Sequence, residues 1–255
     1  VSIPVMVDNT APKTEILTPT EGLFITGKYN VTFIFYDANL LNATLKVDGK
    51  IYDVTNNAWF LLNTTELTEG SHDITLIVID KAGNRAEKEV TVTLDHTKPS
   101  VRIKSPADNA KLHGTVTINW TASDANLRWI RLIIENFVYD VTAATSFPLN
   151  TTMLKDGNYT IMIMAIDGAG NYATASIRVL IDNTPPAVSI ESPADRATVS
   201  LRLVIAVGAS DFSGVSKVDF YINNVLSFTK LEAPYRWEWD TTQYDNGEYT
   251  IRVVA

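Results

Sequence analysis

The sequence predicts an all-β protein of three consecutive two-sheet sandwiches, the third lacking its last strand. Three observations support this prediction. Asp8, Asp95 and Asp182 begin similar motifs and lie 87 residues apart. Between them apolar and polar residues alternate with a period of two, which is the pattern of strands with one buried face. Gly, Asn and Asp divide each interval into about seven short strands, as expected for a two-layer sandwich.

Other landmarks keep the 87-residue offset, so the repeat is a property of the whole chain. The hairpin motif Asp80–Asn84 recurs as Asp167–Asn171, and the triplet Asn63–Thr65 recurs as Asn150–Thr152. The third copy of the triplet, Asp240–Thr242, arrives three residues late, so the third repeat carries a short insertion after Asp211. We therefore predict seven-stranded immunoglobulin-like repeats at residues 8–94, 95–181 and 182–255, with residues 1–7 as the last strand of a preceding repeat.

The second long strand of each repeat shows the alternation most clearly. In the second repeat, Thr117, Asn119 and Thr121 are expected to point away from the core. The predicted inward-facing residues are Tyr29, Val31, Phe33 and Phe35, then Val116, Ile118, Trp120 and Ala122, then Leu203, Ile205, Val207 and Ala209. By the same alignment Trp237 and Trp239 are core residues, whereas Trp59 falls on the outer face.

Composition narrows the class of protein. The chain has 255 residues, is 45% hydrophobic and carries a formal net charge of -8. It can therefore bury real cores, and it lacks the basic face that a nucleic-acid partner needs. It has no Cys, so each sandwich must be stabilised by its core alone. No apolar run approaches the ~18 residues of a membrane span.

Two local motifs agree with a sandwich. Tyr159 and Tyr249 follow a turn and match a tyrosine corner, whose hydroxyl bonds back to the chain. The first repeat has His72 there, so its corner is expected to be weaker. Single helical turns before the corners are expected to be capped by Asn63, Asn150 and Asp240.

The third repeat opens with Asp182–Pro186 and Ile190–Pro193 and continues with the stretch Pro234–Thr241. Together with the Asp-x-Ala-Gly-Asn hairpin, these residues resemble bacterial and archaeal Ig-like (Big-type) domains. The resemblance covers nearly the whole chain and is specific for the module rather than for one protein. It implies stalks, spacers and contact domains in surface-layer proteins, adhesins and large secreted hydrolases.

The two ends of the chain leave two hypotheses open. Residues Ser2–Val7 precede Asp8 as a last strand precedes Asp95, while Ala255 aligns with Ala165, before the final hairpin. A window cut from a longer array accounts for both features. Alternatively, Val1–Val7 of one subunit fills the open sheet edge of an identical subunit, and donor-strand exchange builds a filament.

Carboxylates are expected to gather where one repeat meets the next. In an Ig-type sandwich, whose seven strands are lettered A to G in chain order, the B–C and F–G loops lie at the pole that faces the preceding domain. The aspartates expected there are Asp8, Asp37 and Asp80, then Asp95, Asp124 and Asp167, then Asp182 and Asp211. An inter-domain calcium ion is one hypothesis, because calcium takes six to eight oxygen ligands. Turn chemistry, in which Asp bonds to its own backbone, is the other. No other cofactor is expected.

Six asparagines lie in Asn-x-Thr sequons, the acceptor pattern for glycans in secreted proteins. They are Asn30, Asn42, Asn63, Asn119, Asn150 and Asn158. Asn30 and Asn119 are predicted to point outward from their strands. The sequons agree with an extracellular or cell-surface location.

The sequence shows no catalytic constellation. The three His lack metal-ligand spacing, and there is no nucleophile elbow or phosphate loop. We therefore expect a non-catalytic structural array in an extracellular or cell-surface protein: a spacer, surface-layer unit or adhesion stalk. Its expected partners are neighbouring Ig-like repeats or identical subunits, with surface glycans as a further candidate. The alternatives are an accessory module of a secreted protease or glycoside hydrolase, a carbohydrate-binding module, and the donor-strand filament.

Overall fold

The computed structural model describes all 255 residues and is built almost entirely from strands. Twenty-two strands form six sheets, and three single turns of 3-10 helix are the only helical elements. The predicted all-β class is confirmed. No helix in the chain has both the length and the apolar character needed to cross a lipid bilayer.

The first sandwich places a three-stranded sheet against a five-stranded sheet. Its strands are β1 (Lys13–Thr18), β2 (Phe24–Ile25), β3 (Lys28–Tyr36), β4 (Leu40–Val47), β5 (Lys50–Asp53), β6 (Trp59–Asn63), β7 (Gly70–Asp80) and β8 (Arg85–Leu94). The sheets have the strand orders β1-β3-β6 and β2-β8-β7-β4-β5. The short strand β2, which the seven-strand prediction did not include, pairs with β8 in parallel, and the other neighbours are antiparallel.

The second sandwich repeats this topology. Its strands are β9 (Ser100–Ser105), β10 (Ala110–Leu112), β11 (Thr115–Ser123), β12 (Leu127–Ile134), β13 (Phe137–Asp140), β14 (Ser146–Asn150), β15 (Gly157–Asp167) and β16 (Tyr172–Ile181). The sheet orders are β14-β11-β9 and β10-β16-β15-β12-β13, and β10 pairs with β16 in parallel.

The third sandwich has two sheets of three strands. Its strands are β17 (Ala187–Ser192), β18 (Arg202–Ser210), β19 (Val218–Ile222), β20 (Val225–Lys230), β21 (Tyr235–Asp240) and β22 (Ile251–Val254). The sheet orders are β17-β18-β21 and β20-β19-β22, so one edge of β22 is unpaired, as predicted. The counterpart of β2 and β10 is also missing, because its partner would be the absent last strand.

Residues 1–12 form no strand within this chain. The assignment of residues 1–7 to a preceding repeat therefore stays a prediction, as do the boundaries at residues 8, 95 and 182.

Each pair of sheets encloses its own hydrophobic core. The cores contain 15, 12 and 7 buried residues in chain order, and the third is smallest because it lacks the side chains of the last strand. The predicted inward-facing residues all belong to these cores or pack against them. Trp239 is buried and Trp237 packs against the third core, as expected, whereas Trp59 is 55% exposed.

The corner of the first repeat differs from its prediction. The hydroxyls of Tyr159 and Tyr249 each donate to a carbonyl four residues earlier, at 3.0 Å. His72 makes the same contact, with Nε2 2.8 Å from the Thr68 carbonyl, and its Nδ1 bonds to Asp48. The imidazole therefore replaces the phenol, and the corner keeps its bond to the chain.

The three 3-10 turns are capped as predicted. They span Thr64–Glu66, Thr151–Met153 and Thr241–Gln243, and the side chains of Asn63, Asn150 and Asp240 accept the amides two residues on. In the third turn, hydrogen bonds from the hydroxyl and amide of Thr242 hold the pKa of Asp240 below its ordinary value.

Each turn also bonds to a residue with left-handed backbone. The first threonine of each turn donates its amide and its hydroxyl to one carbonyl, that of Gly27, Gly114 or Leu201. These three acceptors have φ angles of 66°, 66° and 60°. Gly adopts this conformation without steric cost, whereas the Cβ of Leu approaches the following carbonyl. Leu201 is therefore strained at a position where the other repeats have glycine.

We expect Leu201→Gly to stabilise the third repeat by about 0.5–1 kcal/mol, because relief of strain exceeds the added chain entropy of glycine. Hydrogen exchange of the β18 and β21 amides reports the opening free energy of this repeat. Gly114→Leu is the matched control and is expected to destabilise the second repeat. Faster exchange in Leu201→Gly would contradict this account.

Candidate metal site

The candidate aspartates lie at strand ends that share one pole of each sandwich. Asp80 is the last residue of β7, and Asp37 directly follows β3. Asp167 is likewise the last residue of β15, and Asp124 directly follows β11. Asp95 directly follows β8, the last strand of the first repeat. The chain therefore enters the second sandwich beside the acidic turns of that second sandwich.

The fold brings six of the eight candidate aspartates into two clusters. In each cluster, one carboxylate oxygen from every member lies within 4.8 Å of the others. The first cluster comprises Asp8, Asp37 and Asp80, and the second comprises Asp95, Asp124 and Asp167. Asp80 is 0% exposed and Asp167 is 1% exposed, so the clusters extend beneath the surface.

Asp80 organises the hairpin between β7 and β8. One carboxylate oxygen accepts the amides of Ala82 and Asn84 at 2.9 and 2.8 Å, and the other accepts the Asn84 side-chain amide at 2.8 Å. Burial of Asp80 acts to raise its pKa, but the hydrogen bonds from Asn84 and Ala82 together outweigh burial and hold the pKa below its ordinary value. The carboxylate is therefore favoured in its charged form.

Four asparagines that sequence reasoning did not single out for this role connect the acidic turns to the entering chain. In the second repeat, Asn126 Nδ2 donates to Asp95 Oδ2 at 2.7 Å, and Asn171 Nδ2 donates to the Asp95 carbonyl at 2.9 Å. The first repeat contains the same pair of bonds. They run from Asn39 Nδ2 to Asp8 Oδ2 at 2.8 Å and from Asn84 Nδ2 to the Asp8 carbonyl at 3.0 Å. The signal was present in the sequence, because these asparagines recur at the 87-residue offset.

The negative charge of both clusters lacks a basic partner in the chain. All six ion pairs of the molecule lie elsewhere, and none includes a member of either cluster. Neighbouring carboxylates disfavour one another's ionisation, and buried charge is costly unless it is compensated. Hydrogen bonds supply part of this compensation, and a cation would supply the rest.

The second cluster has a further oxygen available. Asn126 Oδ1 is buried and accepts no hydrogen bond. Carboxylate oxygens and an amide oxygen are hard ligands of the kind that calcium prefers. The donor set therefore suits a hard divalent cation.

The third junction is different. The Ser213 hydroxyl, with the Asp211 side chain, holds the pKa of Asp182 below its ordinary value although desolvation opposes this. Ser213 replaces the asparagine of the other repeats, and the sequence ends before the position equivalent to Asp167. Asp182 and Asp211 therefore form a pair rather than a cluster of three.

Other contacts also join consecutive repeats. A Cβ added to Gly168 would lie 3.5 Å from the Phe24 ring, so the exposed end of β2 packs on the hairpin of the second repeat. At the next junction Lys111, which aligns with Phe24, donates from Nζ to the Ser213 carbonyl at 2.7 Å. Both contacts come from the short parallel strand of the preceding sandwich.

The six sequons differ in how available their side chains are. Asn30 and Asn158 are exposed. Asn63 and Asn150 are engaged as caps, and Asn119 Nδ2 donates to Ser105 at 2.8 Å. The side-chain oxygen of Asn42 is buried. Glycosylation stays a prediction at each position.

Comparison with known proteins identifies the modules. The family model described as "Bacterial Ig domain" matches residues 99–163 and 186–253, together more than half of the chain. Two related models, "Bacterial Ig-like domain" and "Bacterial Ig-like domain (group 3)", match residues 22–96 and 143–212.

Two individual proteins show how far the similarity extends. Bacillopeptidase F of Bacillus subtilis (strain 168) is 27% identical over 139 residues, which are 54% of this chain and 9% of that relative. The fibronectin(III)-like modules of Clostridium thermocellum CbhA superpose with a TM-score of 0.50 at 16% identity, covering 66% of this chain and 94% of theirs. The second likeness concerns the fold alone. With its sandwich topology and these family matches, the chain belongs to the bacterial Ig domain family.

Proposed function

We propose that this chain is a non-catalytic structural array in an extracellular or cell-surface protein, where it acts as a spacer or stalk. Each repeat has its own core, so the array depends on stacked modules rather than on one continuous fold. One observation carries the proposal. Asn126 and Asn171 of the second repeat hold both the side chain and the backbone of Asp95, the residue that directly follows β8 of the first sandwich. Such bonds restrict the hinge between modules.

We also propose that calcium binds at the two three-aspartate clusters. The close approach of carboxylates without a basic partner supports an ion, and the unpaired Asn126 oxygen supports it at the second cluster. The competing explanation is turn chemistry alone, since each cluster also makes local turn bonds.

Calcium is expected to raise the melting temperature of the chelator-treated chain by several degrees. A ligand that binds only the folded state at ~100 times its Kd adds about 2.7 kcal/mol. Differential scanning calorimetry up to about 10 mM calcium covers the affinities of extracellular sites. The double variant Asp80→Asn, Asp167→Asn should lose this response.

The matched control is the double variant Asp53→Asn, Asp140→Asn. Both carboxylates make the same kind of turn bond, to Thr55 and Thr142, but belong to neither cluster. The control is expected to keep the calcium response. A melting temperature that does not change with calcium in the unmodified chain would leave turn chemistry as the whole explanation.

The similarity to Bacillopeptidase F favours a second candidate function, an accessory module of a secreted peptidase. It extends over 54% of this chain but only 9% of that protein, as expected for a module shared with a much larger polypeptide. In this role the repeats would position a catalytic domain without taking part in its chemistry.

The reading frame that encodes these repeats separates the two functions. The peptidase accessory function requires a peptidase domain in the same polypeptide, and sequencing the complete gene tests this directly. A frame that contains only further repeats and a surface anchor would exclude the accessory function and retain the stalk.

A further inference from the structure

The first repeat exposes an apolar patch on the outer face of sheet β1-β3-β6. Five side chains that point away from the core form this outer patch. They are Leu17, Ile34, Tyr36, Trp59 and Leu61, which are 45%, 52%, 73%, 55% and 47% exposed. The two aromatic residues are the most accessible members.

The sandwich fold does not require these residues. In the first repeat, strand pairing places Asn30 opposite Leu61 and Thr32 opposite Trp59. In the second repeat, the same pairing places Thr117 opposite Pro148 and Asn119 opposite Ser146. At the positions of Leu17, Ile34, Tyr36, Trp59 and Leu61, the second repeat has Lys104, Thr121, Ser123, Ser146 and Pro148. The third repeat has Glu191, Gly208, Ser210, Arg236 and Glu238 at the same positions. Large apolar side chains at these positions are therefore specific to the first repeat.

Polar groups alternate with the apolar ones across the strands. Trp59 lies opposite Thr32, and Leu61 lies opposite Asn30. Ile34 lies opposite Glu15, and Tyr36 lies opposite Lys13. A shallow hollow of about 300 Å³ adjoins the patch at Tyr36.

This alternation matches the chemistry of a sugar ring. A pyranose has an apolar C–H face, which packs on an aromatic ring, and hydroxyls at its edge. Asn, Thr, Glu and Lys side chains supply donors and acceptors for those hydroxyls. Binding sites commonly combine apolar surface with a few polar groups that fix orientation.

Charge and area argue against a second copy of this chain as the occupant. The chain carries a net charge of -8, so two copies repel each other. The patch exposes on the order of 500 Å² of apolar surface, whereas a stable protein interface needs about 800 Å² from each partner. The face carries Lys13, Lys28 and Glu15, so its charge is small beside the net charge of the whole chain, which suits an uncharged ligand.

We propose that the outer patch binds an uncharged polysaccharide. Trp59 and Tyr36 stack on its sugar rings, and Asn30, Thr32 and Glu15 bond to its hydroxyls. The first repeat is then a contact domain carried on the array, and this role is independent of calcium at the junctions.

The test uses the full chain made in a host that does not glycosylate it. Affinity electrophoresis and pull-down measure binding to β-1,4-glucan, β-1,3-glucan, xylan, mannan and chitin. Trp59→Ser and Tyr36→Ser are suitable variants, because Ser146 and Ser123 occupy those positions in the second repeat. The unmodified chain is expected to bind at least one polysaccharide, and each variant is expected to weaken that binding at least tenfold.

Tyr172→Ser is the matched control, because Tyr172 is 58% exposed on the outer face of the second repeat. Tyr172→Ser is expected to bind like the unmodified chain. All three variants are expected to have the melting temperature of the unmodified chain. The proposal is overturned if no polysaccharide binds or if the control loses as much affinity. It is also overturned if sedimentation shows a dimer that Trp59→Ser abolishes, or if the native protein carries a glycan at Asn30 that covers the patch.

Discussion

The bonds from Asn126 and Asn171 to Asp95 are the interaction on which the arrangement of the repeats depends. They connect the end of β8 to two turns of the following sandwich, and they use both the side chain and the backbone of Asp95. A single contact would leave the chain free to rotate about it, whereas two contacts on one residue restrict both its position and its direction. Asp8 makes the equivalent bonds to Asn39 and Asn84.

The same interaction explains why the carboxylates are close together. The aspartate that leads into a sandwich must approach the turns of that sandwich to reach the two asparagines. Each of those turns already contains an aspartate, Asp124 and Asp167 in the second repeat, which accepts a backbone amide of its own turn. The acidic clusters are therefore a consequence of joining the modules, and a cation there would reinforce the joint.

The sequence was sufficient to predict the three cores. It was not sufficient to predict the contacts between the acidic turns of a sandwich and the segment that leads into it. Alternation placed Phe33, Trp120 and Ile205 inside, because only one face of each sheet is buried. It did not reveal the outer patch, since β3 has large apolar residues on both faces near Ile34 and Tyr36.

The role of His72 was missed because a tyrosine pattern identifies the phenol and not other groups that reach the same carbonyl. The recurrence of Asn126 and Asn171 at the repeat offset also fits ordinary turn residues, and the fold shows that their side-chain amides meet Asp95.

The most direct test of the account is the distribution of distances between the first two repeats. The chain has no Cys, so nitroxide labels at Lys50→Cys and Lys155→Cys, both exposed positions, report only on this geometry. Double electron–electron resonance in calcium buffer should give one narrow distribution. Asn126→Ala with Asn171→Ala should broaden that distribution, while Asn136→Ala should not. An equally broad distribution in the unmodified chain would contradict the claim that these two asparagines fix the joint between repeats.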